Sequence, residues 1–169
     1  MASADAEQAA LTLRDGRVVT LAAPTEDDEA DVARLLATLA DPREEFFARA
    51  ATQQAGAGQP HGALVARTSS GELAGYTAWI ADEDGRGELA GGVDPRFAKL
   101  GLGTQLLRRG AGDALGAGLR ALRVELHPGS QATAAMLRDC GLRTHWDLDH
   151  PVAHVELLLG TERPGWVTP

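Results

Sequence analysis

One stretch, residues 88–107, decides the fold of this chain: ELAGGVDPRFAKLGLGTQLL. It predicts a short strand, a tight glycine loop and the first turns of a helix. Pro95 cannot donate a hydrogen bond to a sheet, so the strand should end soon after Val93. The glycines at 101 and 103 let the main chain approach another group closely, and leucines at helical spacing follow them. Free amides and the positive end of a helix dipole then meet at one point, which predicts a site for a phosphate or pyrophosphate.

The spacing of these glycines fits neither of the common nucleotide loops, G-x-G-x-x-G and G-x-x-x-x-G-K-[ST]. It resembles the motif V-x-P-x-[YF]-[RQ]-x-x-G-[IL]-[GA]-x-x-L of the GNAT superfamily of N-acetyltransferases. The positions that match in register are Val93, Pro95, Phe97, Gly101, Leu102, Gly103 and Leu106. The arginine or glutamine position of the motif is Ala98 here, so the loop lacks one polar side chain. The alternative is an ordinary glycine-rich turn between a strand and a helix.

The resemblance implies an α+β fold with α/β/α layers, and a mixed, mostly antiparallel sheet whose central strand pair splays apart. It implies acetyl-CoA as the co-substrate, with its pyrophosphate held mainly by main-chain amides. The residues implied to hold the pyrophosphate are Lys99, Leu100, Gly101, Leu102, Gly103 and Thr104. The thioester arm should lie along Gly91, Gly92 and Val93, one of whose amides would polarise the carbonyl. We also expect Gly91 and Gly92 to form a bulge that re-aims this strand.

Composition sets limits on the class of protein. The chain has 169 residues, 44% of them hydrophobic and 24% charged, which suits one soluble domain. No apolar run approaches the ~20 residues of a membrane span, and no signal segment opens the sequence. A single cysteine excludes an internal disulfide and favours a cytoplasmic location. The net charge of −8 argues against a nucleic-acid partner and favours a basic acceptor.

Taken in order, the chain predicts one domain over residues 11–160, between a disordered tail at 1–10 and a loose tail at 161–169. A hairpin turns at Asp15-Gly16, and Thr25 is expected to cap the first helix. The other predicted elements are a second helix from Asp41 to Ala50, strands at 63–67, 73–81 and 88–93, a helix at 104–117, a strand at 119–127, a helix at 130–140 and a closing strand pair at 142–148 and 152–159.

Within the superfamily, the chain is most similar to the bacterial Pat-type protein-lysine acetyltransferase domains. The similar segments are LRDGRVVTL at residues 13–21, the glutamate that opens the central strand, Glu88, and AHVEL at 153–157. This resemblance implies that Glu88 is the general base. It also implies that a protein lysine is the acceptor, although small amines stay open. An ammonium group with a pKa near 10.4 must lose a proton before it can attack a thioester, and a carboxylate can accept that proton. We expect partial burial to make Glu88 a better proton acceptor.

A second family motif falls on residues 130–142, where it departs from the pattern at two positions. The asparagine position is Ser130, which we place among the coenzyme-binding residues, and the tyrosine position is Leu137. Many family members use that tyrosine to protonate the leaving thiolate, which leucine cannot do. Together with Ala98, these departures keep a second function open: a non-catalytic regulatory protein that binds acyl-CoA.

The remaining chemically reactive residues give weaker signals. His127 is a candidate spare base, although a structural role fits its place at a strand end better. The other histidines have no metal-ligand spacing, so we expect no metal. Cys140 precedes a helix-ending glycine and fits a small core residue. The tryptophans at 79 and 146 are expected in the core or in the walls of the cleft.

Overall fold

The computed structural model describes residues 8–39, 59–126, 131–149 and 152–162. Within these ranges the chain forms eight strands, three α-helices and one short 3₁₀ helix at Pro95–Phe97. The elements are β1 Ala9–Thr12, β2 Val18–Ala22, α1 Asp28–Thr38, β3 His61–Thr68, β4 Leu73–Ala81, β5 Arg86–Val93, α2 Leu102–Gly116, β6 Ala121–Leu126, α3 Gln131–Asp139, β7 Leu142–Asp147 and β8 Ala153–Glu162.

All eight strands belong to one sheet, in the order β1-β2-β3-β4-β5-β6-β8-β7. Neighbouring strands run antiparallel except β5 and β6, which run parallel. A parallel pair needs a crossover, and here the crossover is α2. The mixed, mostly antiparallel sheet that we predicted is therefore confirmed.

The two central strands separate after a short contact. Residues 86–88 of β5 pair with residues 121–123 of β6, and the last of these pairs joins Glu88 to Arg123. In the described parts of the two strands, no pairing between them continues beyond that point. Each strand keeps its other neighbour, since β5 remains paired with β4 and β6 with β8. The splayed central pair that the family resemblance implied is thus present, with its closed end at Glu88.

Helices cover both faces of the sheet. On one face, α1 packs through Val32, Leu35 and Leu36 against Tyr76, Ala78 and Ile80 of β4. On the other face, α2 and α3 share a core with alternate residues of β5, β6 and β8. This arrangement confirms the α/β/α layers. Burial of these apolar stripes supplies the main driving force for the layering.

Two local expectations need correction. Thr25 does not cap α1, because the helix begins at Asp28 with Asp27 at the N-cap position. Instead, the amide and hydroxyl of Thr25 donate to the buried carboxylate of Asp28, at 2.6 and 2.9 Å. No bulge forms at Gly91 and Gly92, because β5 pairs with β4 in continuous register from residue 87 to residue 93.

The ends of the chain also differ from the prediction. Strand β1 starts at Ala9, inside the segment that we expected to be disordered, and β8 runs on to Glu162. Residues 1–7 and 163–169 of the predicted tails lie outside the described residues, as do the second helix at 41–50 and His127.

Candidate active site

The glycine loop leaves the end of β5 and is anchored by its own side chains. The Asp94 carboxylate accepts hydrogen bonds from the main-chain amide and the side chain of Arg96, at 2.9 and 3.1 Å. These hydrogen bonds from Arg96 hold the pKa of Asp94 below its ordinary value. Phe97 is buried and packs with Leu102 and the first hairpin. The buried side chain of Phe97 therefore fixes the loop to the core.

The second half of the loop, at the start of α2, offers main-chain amides as hydrogen-bond donors. Lys99 and Gly101 both have positive φ values, 61° and 89°, and the left-handed backbone at Gly101 favours glycine. Gly101 is the N-cap of α2 and supplies no side-chain cap. The first helical hydrogen bond that follows it joins the amide of Gln105 to the carbonyl of Gly101, at 3.2 Å. The amides of Leu102, Gly103 and Thr104 precede that bond, so they are available to an anion together with the helix dipole.

The separation of β5 and β6 beyond Glu88 leaves a gap between the two strands. Strand β5, on one side of this gap, also presents main-chain donors. The amide of Asp94 donates to the carbonyl of Ala74 on β4, at 2.9 Å. Since main-chain groups alternate along a strand, the amide of Gly92 also points toward β4, and those of Gly91 and Val93 point toward the gap. Gly92 contributes space instead, because a β-carbon there would stand 2.8 Å from the Leu39 side chain. The three residues that we assigned to the thioester arm are therefore not equivalent.

Glu88 lies at the closed end of this gap, on the face of the sheet that α1 covers. The side chain of Val93 is on the opposite face, against Gly103, because side chains alternate between the faces of a strand. Glu88 is exposed, so the partial burial that we expected is wrong. The helix α1 packs on residues 76, 78 and 80 of the neighbouring strand β4, and Glu88 is not part of that buried cluster.

A shallow cavity of about 200 Å³ surrounds Glu88, and charged side chains line most of it. The strand register places Ile80, Glu88, Arg123 and Glu156 in one row across four strands. Arg86 forms an ion pair with Glu156 at 3.3 Å. The cavity therefore carries both signs of charge beside Glu88, and can accommodate a charged amine next to a carboxylate.

The structure describes residues 131–142 of the second family motif. Leu137 is fully buried in the core with Cys140, whose thiol donates to the Leu137 carbonyl at 3.0 Å. Cys140 is therefore a core residue, as predicted. Trp79 is also in the core, and its indole donates to Asp113 at 3.1 Å, while Trp146 is half-buried. Ser130 lies outside the described residues.

The structure adds two arginines that the sequence analysis did not assign to the site. Arg123 faces the cavity beside Glu88, and Arg14 lies against the glycine loop. Arg14 belongs to the LRDG segment that resembles Pat-type domains, which was the available signal. Its position next to residues 100–101 could not be inferred locally, because 86 intervening positions separate Arg14 from Gly101.

Comparison with known proteins identifies the family and supports the fold. The model of the acetyltransferase (GNAT) family matches residues 25–142. The GNAT domain of Streptomyces lividans PAT superposes with a TM-score of 0.73 at 18% identity, covering 90% of this chain and 97% of that one. A phosphinothricin acetyltransferase from Sinorhizobium meliloti, solved with AcCoA, gives 0.66 at 18% identity, with 92% and 95% coverage. A GNAT acetyltransferase from Staphylococcus aureus gives 0.69 at 11% identity, with 83% and 99% coverage.

The chain belongs to the GNAT family of acetyltransferases, since the family model spans well over half of it. The solved structures, at these low identities, support the fold alone. No curated protein sequence matches the chain.

Among the described residues, no helix is long and apolar enough to cross a membrane. In the same residues, no group of three or more histidine, cysteine, aspartate or glutamate side chains is placed to bind a metal ion.

Proposed function

We propose that this acetyltransferase moves the acetyl group of acetyl-CoA to a primary amine, most readily the side chain of a protein lysine, with Glu88 as general base. The observation that carries the proposal is the gap between β5 and β6. Its closed end is at Glu88, and its β5 edge leads to the glycine loop. One elongated ligand along that edge would reach both the anion-binding loop and the carboxylate.

The coenzyme would be held in two places. The amides before Gln105 suit the pyrophosphate, and Lys99 is exposed beside them. The amides of Gly91 and Val93 suit the carbonyl of the thioester and the amide groups of its arm. A donor aimed at a developing oxyanion contributes about 3 kcal/mol in other acyl-transfer sites. The full proposed set is Gly91, Gly92, Val93, Lys99, Leu100, Gly101, Leu102, Gly103, Thr104 and Ser130.

Glu88 would accept the proton that the acceptor ammonium must lose before its nitrogen attacks the carbonyl. Three strand positions, about 10 Å, separate Glu88 from Gly91. A glutamate side chain is shorter than that, so we place a water molecule between the carboxylate and the amine. The exposure of Glu88 leaves room for this water.

Many family members have a tyrosine that protonates the leaving thiolate, and this chain has leucine at that position. Leu137 is buried in the core and has no proton to donate. A thiol with an ordinary pKa of about 8.5 leaves as a thiolate without such help, so the reaction can still proceed. We therefore expect a catalyst whose rate depends strongly on Glu88.

The charge of the chain supports the kind of acceptor that we propose. A net charge of −8 attracts basic proteins and disfavours nucleic acids. We place the reaction in the cytoplasm, where one free, buried cysteine is normal. The Pat-type resemblance favours a protein lysine over a small amine. The cavity around Glu88 contains both acidic and basic side chains, which is compatible with a protein lysine and with a small amine.

Coenzyme binding is tested by calorimetry with acetyl-CoA on the wild-type protein and on Gly103→Asp. Aspartate at 103 adds negative charge among the proposed phosphate ligands, and its β-carbon would stand 3.0 Å from the Met136 sulfur. We expect binding to be lost. Gly112→Asp, on the same helix with open space around it, is the matched control and should bind normally. A wild-type protein without affinity for acetyl-CoA would remove the proposal.

The transfer itself is tested by thiol release from acetyl-CoA over a panel of lysine-containing proteins and small amines. Release that depends on a protein acceptor, with acetyl-lysine found by mass spectrometry, supports the proposal. Release only with small amines would overturn the protein-lysine part. Tight acetyl-CoA binding with no release on any acceptor would favour the regulatory alternative.

A further inference from the structure

We propose that Arg14, in the turn between β1 and β2, binds the pyrophosphate of the coenzyme and takes the place of the side chain that is missing at Ala98. This inference rests on the proposed function, because it assigns a further residue to the same coenzyme site. Three observations lead to it: the position of the turn, the charge environment of Arg14 and the departure at Ala98.

The first hairpin is attached to the glycine loop. The amide of Arg14 donates to the Leu100 carbonyl at 3.2 Å, and the Arg17 guanidinium donates to the Arg96 carbonyl at 3.0 Å. Arg17 also lies over the ring of Phe97, 4.3 Å from its centre. Leu13 on the hairpin shares a buried cluster with Phe97. The main chain at Arg14 is therefore held in place beside the proposed phosphate site.

The side chain of Arg14 faces the same site. Its Nε lies 3.8 Å from the point where a β-carbon on Gly101 would stand, next to the start of α2. In the described part of the chain, its guanidinium makes neither a hydrogen bond nor an ion pair. The neighbouring carboxylate, Asp15, is bound to Arg17 at 2.6 Å. Arg14 thus brings an uncommitted positive charge to the first-turn amides.

Ala98 explains why such a charge is needed. The family motif has arginine or glutamine there, and the exposed alanine has no polar group to offer. The other arginine in the loop, Arg96, is engaged by Glu72 and Asp94, at 3.0 and 2.9 Å. Of the cations near the loop, Arg14 and Lys99 are the ones without such partners among the described residues. A guanidinium can donate two parallel hydrogen bonds to a phosphate, which an ammonium cannot.

The test compares the binding of three ligands: CoA, dephospho-CoA, which keeps the pyrophosphate but lacks the 3′-phosphate, and pantetheine, which lacks both. We expect Arg14→Gln to weaken CoA and dephospho-CoA by the same factor, about three- to tenfold for an exposed charged hydrogen bond. Pantetheine should bind as it does to the wild type. Arg14→Lys should give an intermediate loss. The anchor of the hairpin on Leu100 is a main-chain bond, so it survives these changes.

Two further variants make the result specific. Arg143→Gln removes the same charge from an exposed position on the edge strand β7 and should leave all three affinities unchanged. Ala98→Arg, added to Arg14→Gln, should restore affinity for CoA and dephospho-CoA, because it returns a guanidinium to the loop.

Several results would overturn the proposal. They are an unchanged affinity in Arg14→Gln, an equal loss in Arg143→Gln, and a loss limited to CoA, which would place Arg14 on the 3′-phosphate. A wild-type protein that binds none of the ligands would instead defeat the proposed function itself. The two failures are therefore distinguishable.

Discussion

Asp28 and Glu88 are carboxylates on the same side of the sheet, and their surroundings differ in every respect. Asp28 is 4% exposed, and it accepts hydrogen bonds from the amide and hydroxyl of Thr25 and from the guanidinium of Arg67. The Glu88 side chain is exposed at the point where the sheet opens, and no described residue forms a hydrogen bond or ion pair with its carboxylate. The first carboxylate is fully used by the fold. The second has no such side-chain partner among the described residues.

The partners of Asp28 also change its pKa. Burial raises the pKa of Asp28, but the hydrogen bonds from Thr25 and the charge of Arg67 outweigh it, so its pKa lies below the ordinary value. Such a group stabilises the native state in its charged form. An acidic residue with all its partners in place belongs to the architecture, and one left open beside a gap is the better candidate for chemistry.

The largest effect is expected from Glu88→Gln, which keeps the size of the side chain and removes its basicity. Turnover should fall by about 10² or more, since general bases contribute ~10²–10⁴. The free energy of unfolding and the affinity for acetyl-CoA should change little, because the side chain is exposed. Part of the activity should return at high pH, where the amine loses its proton unaided. Wild-type turnover of this variant at pH 7 would show that Glu88 is not the base.

The matched change in the other carboxylate, Asp28→Asn, should have the opposite signature. It removes the charge that pairs with Arg67, and an amide has one oxygen acceptor where the carboxylate uses two. We expect the free energy of unfolding to drop by about 2 kcal/mol, between the values for exposed and buried pairs. Turnover per folded molecule should stay at the wild-type level. Urea unfolding and an activity assay on the same preparation measure both, and a variant that is inactive but stable would contradict the assignment.

A smaller effect of the same kind should appear with pH. Because the pKa of Asp28 is lowered in the folded state, its contribution to stability is present above its unfolded pKa of about 3.9 and is lost as the pH falls through the folded value. The difference in unfolding free energy between wild type and Asp28→Asn should therefore be constant from pH 7 to pH 5 and shrink below pH 4. A difference that stays the same at pH 3 would mean that the charge of Asp28 is not what stabilises the native state.

The smallest effect concerns α2, which packs behind the gap. Gly110 has close neighbours, since a β-carbon there would meet the hydroxyl of Thr77 at 3.0 Å and Leu89 at 3.2 Å. Gly112 faces open space on the same helix. Gly112→Ala should stabilise the protein by up to about 1 kcal/mol through helix propensity, whereas Gly110→Ala should gain less or lose stability. Thermal unfolding of both variants provides the measurement. Equal gains would show that α2 does not pack closely on β4 and β5.

Sequence reasoning worked best where neighbouring residues carry the signal. The hairpin at Asp15-Gly16, the strand–loop–helix unit at residues 88–107 and the paired last strands appear as predicted. It failed where a distant group changes a local preference. Thr25 would cap a helix with its hydroxyl oxygen, but here its hydroxyl donates to the buried Asp28, which is the first residue of the helix. The pair Gly91-Gly92 reads as a bulge, yet β5 stays in register because β4 and Leu39 approach it closely.

The sequence by itself therefore determined most of the described elements and the family motif, and the resemblance to Pat-type domains supplied Glu88 as the candidate base. The elements and the motif depend on residues within a few positions of one another, where periodicity, turn chemistry and backbone freedom act directly. Only the tertiary structure decided that β8 inserts between β6 and β7, that Glu88 is exposed, and that Arg14 reaches the glycine loop. Each of these depends on packing between segments far apart in the chain. The free energy of such contacts comes from burial of the whole core, which no local pattern specifies.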